Sequence, residues 1–196
     1  SVFFFFLDKN VFILGTGEVA TRRANRFLDK GSNVILAGDF ISEELLDKGA
    51  VLKDLSYVEE LVKWCDIVII ASGDKDLSDY VSKISEGKLV NRADCPDEGN
   101  LVIPSSFFIG DVEISLFTGG KSPLMAKELR KKIQSTISSK DILEIQLQDY
   151  CRNLLKNKIP NQKDRKNKLY DILKDDKVNM LLEESRLDEA KVYVEG

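Results

Sequence analysis

The 196-residue chain contains no histidine. That absence removes Ser-His-Asp and Cys-His nucleophilic catalysis and every His-based metal site. Acid–base work therefore falls to carboxylates, Lys, Tyr or Cys. Cysteine is scarce too: Cys65, Cys95 and Cys151 are an odd number without close spacing, so neither a disulfide framework nor a zinc knuckle is encoded. No metal ligand set is expected, and a reducing compartment, the cytoplasm, is the simpler assignment. Long apolar runs are missing as well. The longest, Val2 to Leu7, is far too short to span a bilayer and lacks the basic flank and cleavage site of a signal peptide. It reads as a buried strand, and no membrane association is expected. The sequence opens at Ser1 rather than Met, which leaves room for residues ahead of it. There is no internal repeat, heptad seam or low-complexity tract.

What is present is enough for a folded chain. Hydrophobic residues make up 43% and charged residues 32%, far from the composition of disorder, and the length allows a sizeable core. Charge is uneven along the chain. Residues 1–120 hold 12 Lys and Arg against 20 Asp and Glu, whereas the remainder has a mild cationic excess. That excess is too weak for general nucleic-acid binding, though it would favour a small polycarboxylate; solvated helix faces account for it equally.

The first 90 residues repeat one pattern: a short apolar run, a turn, then helical periodicity. Strands are expected at 11–14, 34–36, 51–52, 66–71 and 89–91, with helices near 18–30, 42–48, 57–64 and 75–86. In the first helix Val19, Ala20, Ala24 and Leu28 should face inward. Runs apolar on both faces fit a parallel sheet covered on both sides. Between Leu101 and Phe117 the segments 101–104, 107–109 and 112–116 have no room for intervening helices and read as a meander or hairpin, with Pro104 at an edge or end. From Ser122 onward the pattern is helical, at 122–138, 141–157, 162–174 and 177–190. The fold class is therefore α/β: a Rossmann-like parallel sheet over residues 1–100, a small β-region over 101–121 and a helical domain over 122–196.

Gly15-Thr16-Gly17-Glu18-Val19-Ala20 follows a strand and opens a helix, the setting a dinucleotide fingerprint requires. Gly15 permits the tight turn, Gly17 lets a pyrophosphate approach the backbone, and Ala20 allows close helix–strand packing. A tight turn without a ligand is the plainer alternative. The acid expected at the end of the second strand is missing; Asp39, in the following turn, is its substitute or simply a turn residue. No arginine stands there to meet a 2′-phosphate, which favours NAD over NADP. Ser72, in Ala71-Ser72-Gly73-Asp74, lies where small residues would let a cofactor cross the strand ends; plain turn chemistry explains the segment equally well.

Asp94 lies just past strand 89–91, on the edge where ligands of open α/β sheets sit, and a carboxylate there would take a proton beside a nicotinamide. As an alternative it is a turn-forming Asp ahead of Pro96. Thr118-Gly119-Gly120-Lys121-Ser122-Pro123 leads from a strand into a helix, with Ser122 as N-cap and Pro123 at the first helical position. Its free N–H groups and Lys121 have the form of an anion site, with Arg130 among the basic residues on the helix behind it; a well-capped surface helix is the plainer alternative.

The ordered set of a GxGxxA turn, an Asn-x-x-Asp turn after the fifth strand, the Ile103-Pro104 step and the Thr-Gly-Gly-Lys-Ser-Pro loop before a basic helix resembles the precorrin-2 dehydrogenase family, of the siroheme-synthase N-terminal type. The resemblance runs over essentially the whole chain. It implies NAD-dependent oxidation of precorrin-2 to sirohydrochlorin. By position it implies that Glu18 and Val19 touch the cofactor, that Asp39 and Phe40 lie near its ribose, that Asp94 is the essential aspartate and that Ser122 faces the substrate cleft. Lys121 and Arg130 would meet substrate carboxylates, and a homodimer is implied. Thr16 replaces a frequent glycine, and Arg92-Ala93 precedes Asp94 where small aliphatic residues are common. Two other readings stay open: a bifunctional enzyme that also inserts iron, and a nicotinamide-sensing module without chemistry.

Overall fold

The computed structural model describes residues 7–196. The strand expected from Val2 to Leu7 lies outside these residues except for Leu7, which sits in a turn and is exposed. The chain divides into two compact units, residues 1–103 and 104–196.

The first unit is a five-stranded parallel sheet. Its strands are β1 (Asn10–Leu14), β2 (Asn33–Ala37), β3 (Val51–Lys53), β4 (Ile67–Ile70) and β5 (Leu89–Arg92), in the order β3-β2-β1-β4-β5. Four helices connect them: α1 (Glu18–Leu28), α2 (Glu43–Asp47), α3 (Val58–Trp64) and α4 (Lys75–Ile84). A short 3-10 turn over Leu55–Tyr57 precedes α3.

Alternation along the strands feeds two cores. Val11 and Ile13 of β1, Val34 and Leu36 of β2, and Ile67 and Ile69 of β4 face one side, where Ala20, Ala24 and Phe27 of α1 and Leu45 of α2 close over them. Phe12, Leu14, Val68 and Ile70 face the other side, packed against Val58, Leu61 and Val62 of α3 and Val81 of α4. Burying both faces explains why β1 and β4 read as continuous apolar runs. Within α1 the inward stripe is Ala20, Ala24 and Phe27, with Leu28 only partly buried. Val19, expected inward, is exposed, because it lies one residue, about 100° of helix rotation, off the Ala20–Ala24–Phe27 stripe.

Residues 101–104 form no strand, a departure from the three-segment pattern. Side chains take the carbonyls that a ladder would use: Asn91 Nδ2 donates to Leu101 O at 2.8 Å and Arg23 to Ile103 O at 3.4 Å. Pro104 has no N–H with which to pair. Leu101 and Ile103 instead pack against the α1 side of the core.

The second unit begins with an antiparallel hairpin, β6 (Ser105–Ile109) and β7 (Val112–Leu116), pairing Ser105 with Leu116 and Ile109 with Val112. Its turn lies on α6 (Ser139–Lys158). A Cβ on Gly110 would come within 2.7 Å of Ile142. α5 (Pro123–Thr136) has no buried residue. α6, α7 (Gln162–Leu173), α8 (Asp176–Glu183) and α9 (Leu187–Glu195) enclose a core of Leu147, Cys151, Ile172, Val178, Leu181, Leu182 and Ala190. The helix expected over 177–190 is thus two helices. Ser185 takes a positive φ of 60° at the break, and Arg186 beside it pairs with Glu184 and Glu189.

Candidate active site

In the strand order β3-β2-β1-β4-β5 the direction of winding reverses between β1 and β4, the crevice where open α/β sheets bind ligands. The ladder extends one residue past four strands: Gly15 N donates to Ala37 O, Gly38 N to Lys53 O, Ala71 N to Leu14 O and Ala93 N to Ile70 O. The segments after these strands therefore leave the same edge of the sheet in register.

Gly15 has φ +105°, and a Cβ there would lie 2.4 Å from Ala71 O and 3.2 Å from Ser72 N. Both conformation and space demand glycine. Thr16 turns its methyl toward Gly38, where a Cβ would meet Thr16 Cγ2 at 2.6 Å. The side chain at 16 thus fills the room left by a glycine at 38, a compensation not foreseen from the glycine turn alone. Gly17 differs from both, since a Cβ on it would meet nothing within 4 Å.

Gly17 is also the N-cap of α1, and no side chain caps it. The neighbouring helices are closed by their own residues: Ser42 accepts from Leu45 N in α2, and Asp74 accepts from Leu77 N at 3.0 Å in α4. The first N–H groups of α1 thus lack the cap that α2 and α4 possess, with open space beside Gly17. This is the arrangement that fits a pyrophosphate. Glu18 on the same turn points to solvent, its side chain 93% exposed and 4.0 Å from Arg22. Asp39 and Phe40 follow β2 directly and are exposed. Ser72 Oγ accepts from Asp74 N, so this hydroxyl shapes the turn after β4.

Asp94 stands two residues past β5. Its carboxylate is gripped at two points by Arg92, with Nε donating to Oδ1 at 3.0 Å and Nη2 to Oδ2 at 2.6 Å. The Arg92 guanidinium holds Asp94 below the usual carboxylate range, so the group is ionised at neutral pH. Arg92 is itself 2% exposed and its own pKa is raised, chiefly by the bond to Asp94. Sequence reasoning had noted Arg92 only as a departure from a pattern. Its nearness to Asp94 in the sequence was the available signal, although the chain bends at 93–94 rather than continuing as strand. Asn91, the residue before it, is buried with its Oδ1 unpartnered, as is Arg23 Nε. Burial lowers the Arg23 pKa to about 10.

Lys121, Ser122 and Arg130 belong to the second unit. Ser122 is the N-cap of α5, accepting from Met125 N at 3.1 Å, with Pro123 following. Gly119 and Gly120 both adopt left-handed conformations, at φ 65° and 71°, which turns the chain into that cap. Lys121 is exposed, and Arg130 lies over the Phe107 ring at 5.0 Å. Among the described residues no group of three or more Cys, Asp and Glu is placed to hold a metal ion.

A family model described as "Putative NAD(P)-binding" matches residues 2–105. A protein from Methanocaldococcus jannaschii named "Putative precorrin-2 dehydrogenase" is 30% identical over 186 residues, covering 88% of each chain. The chain belongs to the precorrin-2 dehydrogenase family. A precorrin-2 dehydrogenase from Priestia megaterium is 27% identical over 183 residues, 91% of this chain and 90% of that one. The solved structure titled "SirC, precorrin-2 dehydrogenase" matches with a TM-score of 0.82 at 25% identity, covering 100% of this chain and 98% of its own. This member of the family therefore shares its architecture from the sheet to the last helix. A siroheme synthase from Nitrosococcus oceani is 31% identical over 131 residues, but only 28% of its length is covered.

Proposed function

We propose that this chain oxidises precorrin-2 to sirohydrochlorin with NAD, a step of siroheme biosynthesis, and that Asp94 is the proton acceptor. The observation that carries the reading is one sheet edge bearing both an uncapped helix N-terminus at Gly17 and an ionised carboxylate at Asp94.

Bound NAD supplies the hydride acceptor. The protein supplies position and a base. Gly15, Thr16 and Gly17 form the turn that would hold the pyrophosphate at the N–H groups of α1, with Glu18 and Val19 bordering it. Asp39 would accept from the ribose hydroxyls, and the exposed Phe40 ring would offer an apolar face beside it. Ser72, whose backbone lies against Gly15, borders the cofactor across the strand ends. Dehydrogenation removes a hydride from one atom of the substrate and a proton from its neighbour. Asp94 accepts that proton, for which its oxygens keep lone pairs beyond the two engaged by Arg92.

Lys121 and Arg130 meet substrate carboxylates, and Ser122 holds the turn that presents Lys121. Residues 1–100 serve NAD, residues 101–121 dimerisation and residues 122–196 dimerisation or the substrate site; the working form is a homodimer in the cytoplasm. No helix of the described residues is long and apolar enough to cross a membrane.

The test mixes purified protein with anaerobically prepared precorrin-2 and NAD, following NADH and sirohydrochlorin together. Equimolar appearance of both, lost in Asp94→Ala, is the expected result. NAD binding without turnover would overturn it in favour of a sensing module. Ferrous iron added to the same mixture separates the dehydrogenase from the bifunctional enzyme, through consumption of sirohydrochlorin.

A further inference from the structure

We propose that Arg92 is the positioning residue of this site, a buried guanidinium whose two-point grip orients the Asp94 carboxylate for proton transfer. The inference rests on the reading of Asp94 as the proton acceptor.

Arg92 closes β5 and is 2% exposed, an expensive place for a charge unless it is paired. The pairing is dense. Besides the fork to Asp94, Nη1 reaches Asp79 Oδ1 of α4 at 2.9 Å and Glu98 Oε2 of the 3-10 turn over Pro96–Glu98 at 2.8 Å. Three carboxylates, two of them from further elements, converge on one cation. They are not equivalent. Asp79 and Glu98 are 49% and 57% exposed, whereas Asp94 is 28% exposed and alone receives two hydrogen bonds. A parallel two-bond fork fixes both distance and plane of a carboxylate, which a single ion pair does not.

The backbone prepares the fork. Ala93 N still donates to Ile70 O at 2.8 Å, so the chain stays tied to the sheet between Arg92 and Asp94. The chain then bends at Ala93 and Asp94, and in that bend the Asp94 carboxylate meets the guanidinium of Arg92 two residues back. A side chain that only filled the core would require neither the charge nor the fork. Asp79, Glu98 and the Cys95 thiol are the other titratable groups around the pair, and the guanidinium outweighs them at Asp94.

The experiment compares pH profiles of kcat with precorrin-2 and NAD for wild type, Arg92→Met and Arg92→Lys, with NAD affinity measured beside each. In Arg92→Met the acid limb should rise by about one pH unit or more, since Asp94 loses its cation and keeps two acidic neighbours. Turnover at neutral pH should fall at least about tenfold as orientation is lost, with NAD affinity within about twofold of wild type. Arg92→Lys keeps the charge but not the fork, so turnover should fall while the acid limb moves less.

An Arg92→Met profile that scales down without displacement of its acid limb overturns the proposal. So does Arg92→Lys at the wild-type rate, which also decides the matter if Arg92→Met does not fold. Asp94→Asn separates the two claims. If it turns over at the wild-type rate, the base reading fails and the proposal with it. If it is inactive while the Arg92 variants keep the wild-type profile and rate, only the positioning role fails.

Discussion

In the sheet unit, two apolar clusters close over both faces of β1 and β4, whereas the helical unit has one smaller cluster and leaves α5 with no buried residue. The same chain thus contains a fully enclosed layer structure and a helix with Leu124, Met125 and Leu129 all exposed. The difference teaches where chemistry is affordable. A sheet buried on both faces has only its strand ends left for ligands, and β2, β1 and β4 are each paired on both sides while β3 and β5 form the edges. The helical unit offers side chains along surfaces, suited to charge and association rather than to precise placement.

The largest expected effects test whether each core stands by itself. Ile69→Ala in β4 and Leu147→Ala in α6, both essentially unexposed, should each cost about 3–4 kcal/mol. If the units are independent, denaturant unfolding followed by site-specific probes will show each substitution displacing mainly its own unit's transition. A single shared transition would break the comparison.

Next come two glycines of one turn. Gly15→Ala drives a Cβ to 2.4 Å from Ala71 O at φ +105° and should destabilise the fold by about 3 kcal/mol or more. Gly17→Ala meets nothing, so thermal stability should stay within about 0.5 kcal/mol while NAD affinity falls about tenfold. Unchanged calorimetric titration with NAD in Gly17→Ala would remove the pyrophosphate from this turn.

A smaller effect concerns acid. The folded pKa of Asp94 lies below its unfolded value, so its contribution to stability is fully present above the ordinary carboxylate range near pH 4. That contribution is lost as pH falls through the depressed folded value. Stability measured from pH 5 downward should fall less steeply in Asp94→Asn than in wild type, and parallel curves would deny the pair a role in folding.

The smallest effect is expected on α5. Leu124 is 69% exposed, and Leu124→Ala should change monomer stability by less than about 0.5 kcal/mol. A larger loss that depends on protein concentration would mean that a second copy covers this helix.

Much of the sheet unit was legible because β-branched runs, turns and helical stripes alternate at regular spacing. The glycine turn was legible because its context, strand before and helix after, is local. Less legible was anything set by a distant neighbour. Val19 is apolar and next to Ala20, but the packing of α1 on the sheet centres the buried stripe on Ala20, Ala24 and Phe27 and leaves Val19 beside it, exposed. Residues 101–104 had strand composition, yet Asn91 and Arg23 claimed their carbonyls. The helix expected over 177–190 broke at Ser185 without a proline or glycine to announce it.

The amino-acid sequence by itself determined the order of strands and helices, the glycine turn that opens α1, the Ser122 cap of α5 and the exclusion of histidine chemistry, since each depends on residues near one another in the chain. Only the tertiary structure decided that Thr16 fills the space beside Gly38, and that Asp79 and Glu98 share one guanidinium with Asp94. Those contacts join separate elements at the sheet edge. Their partners are fixed by strand order and packing, which no local pattern encodes.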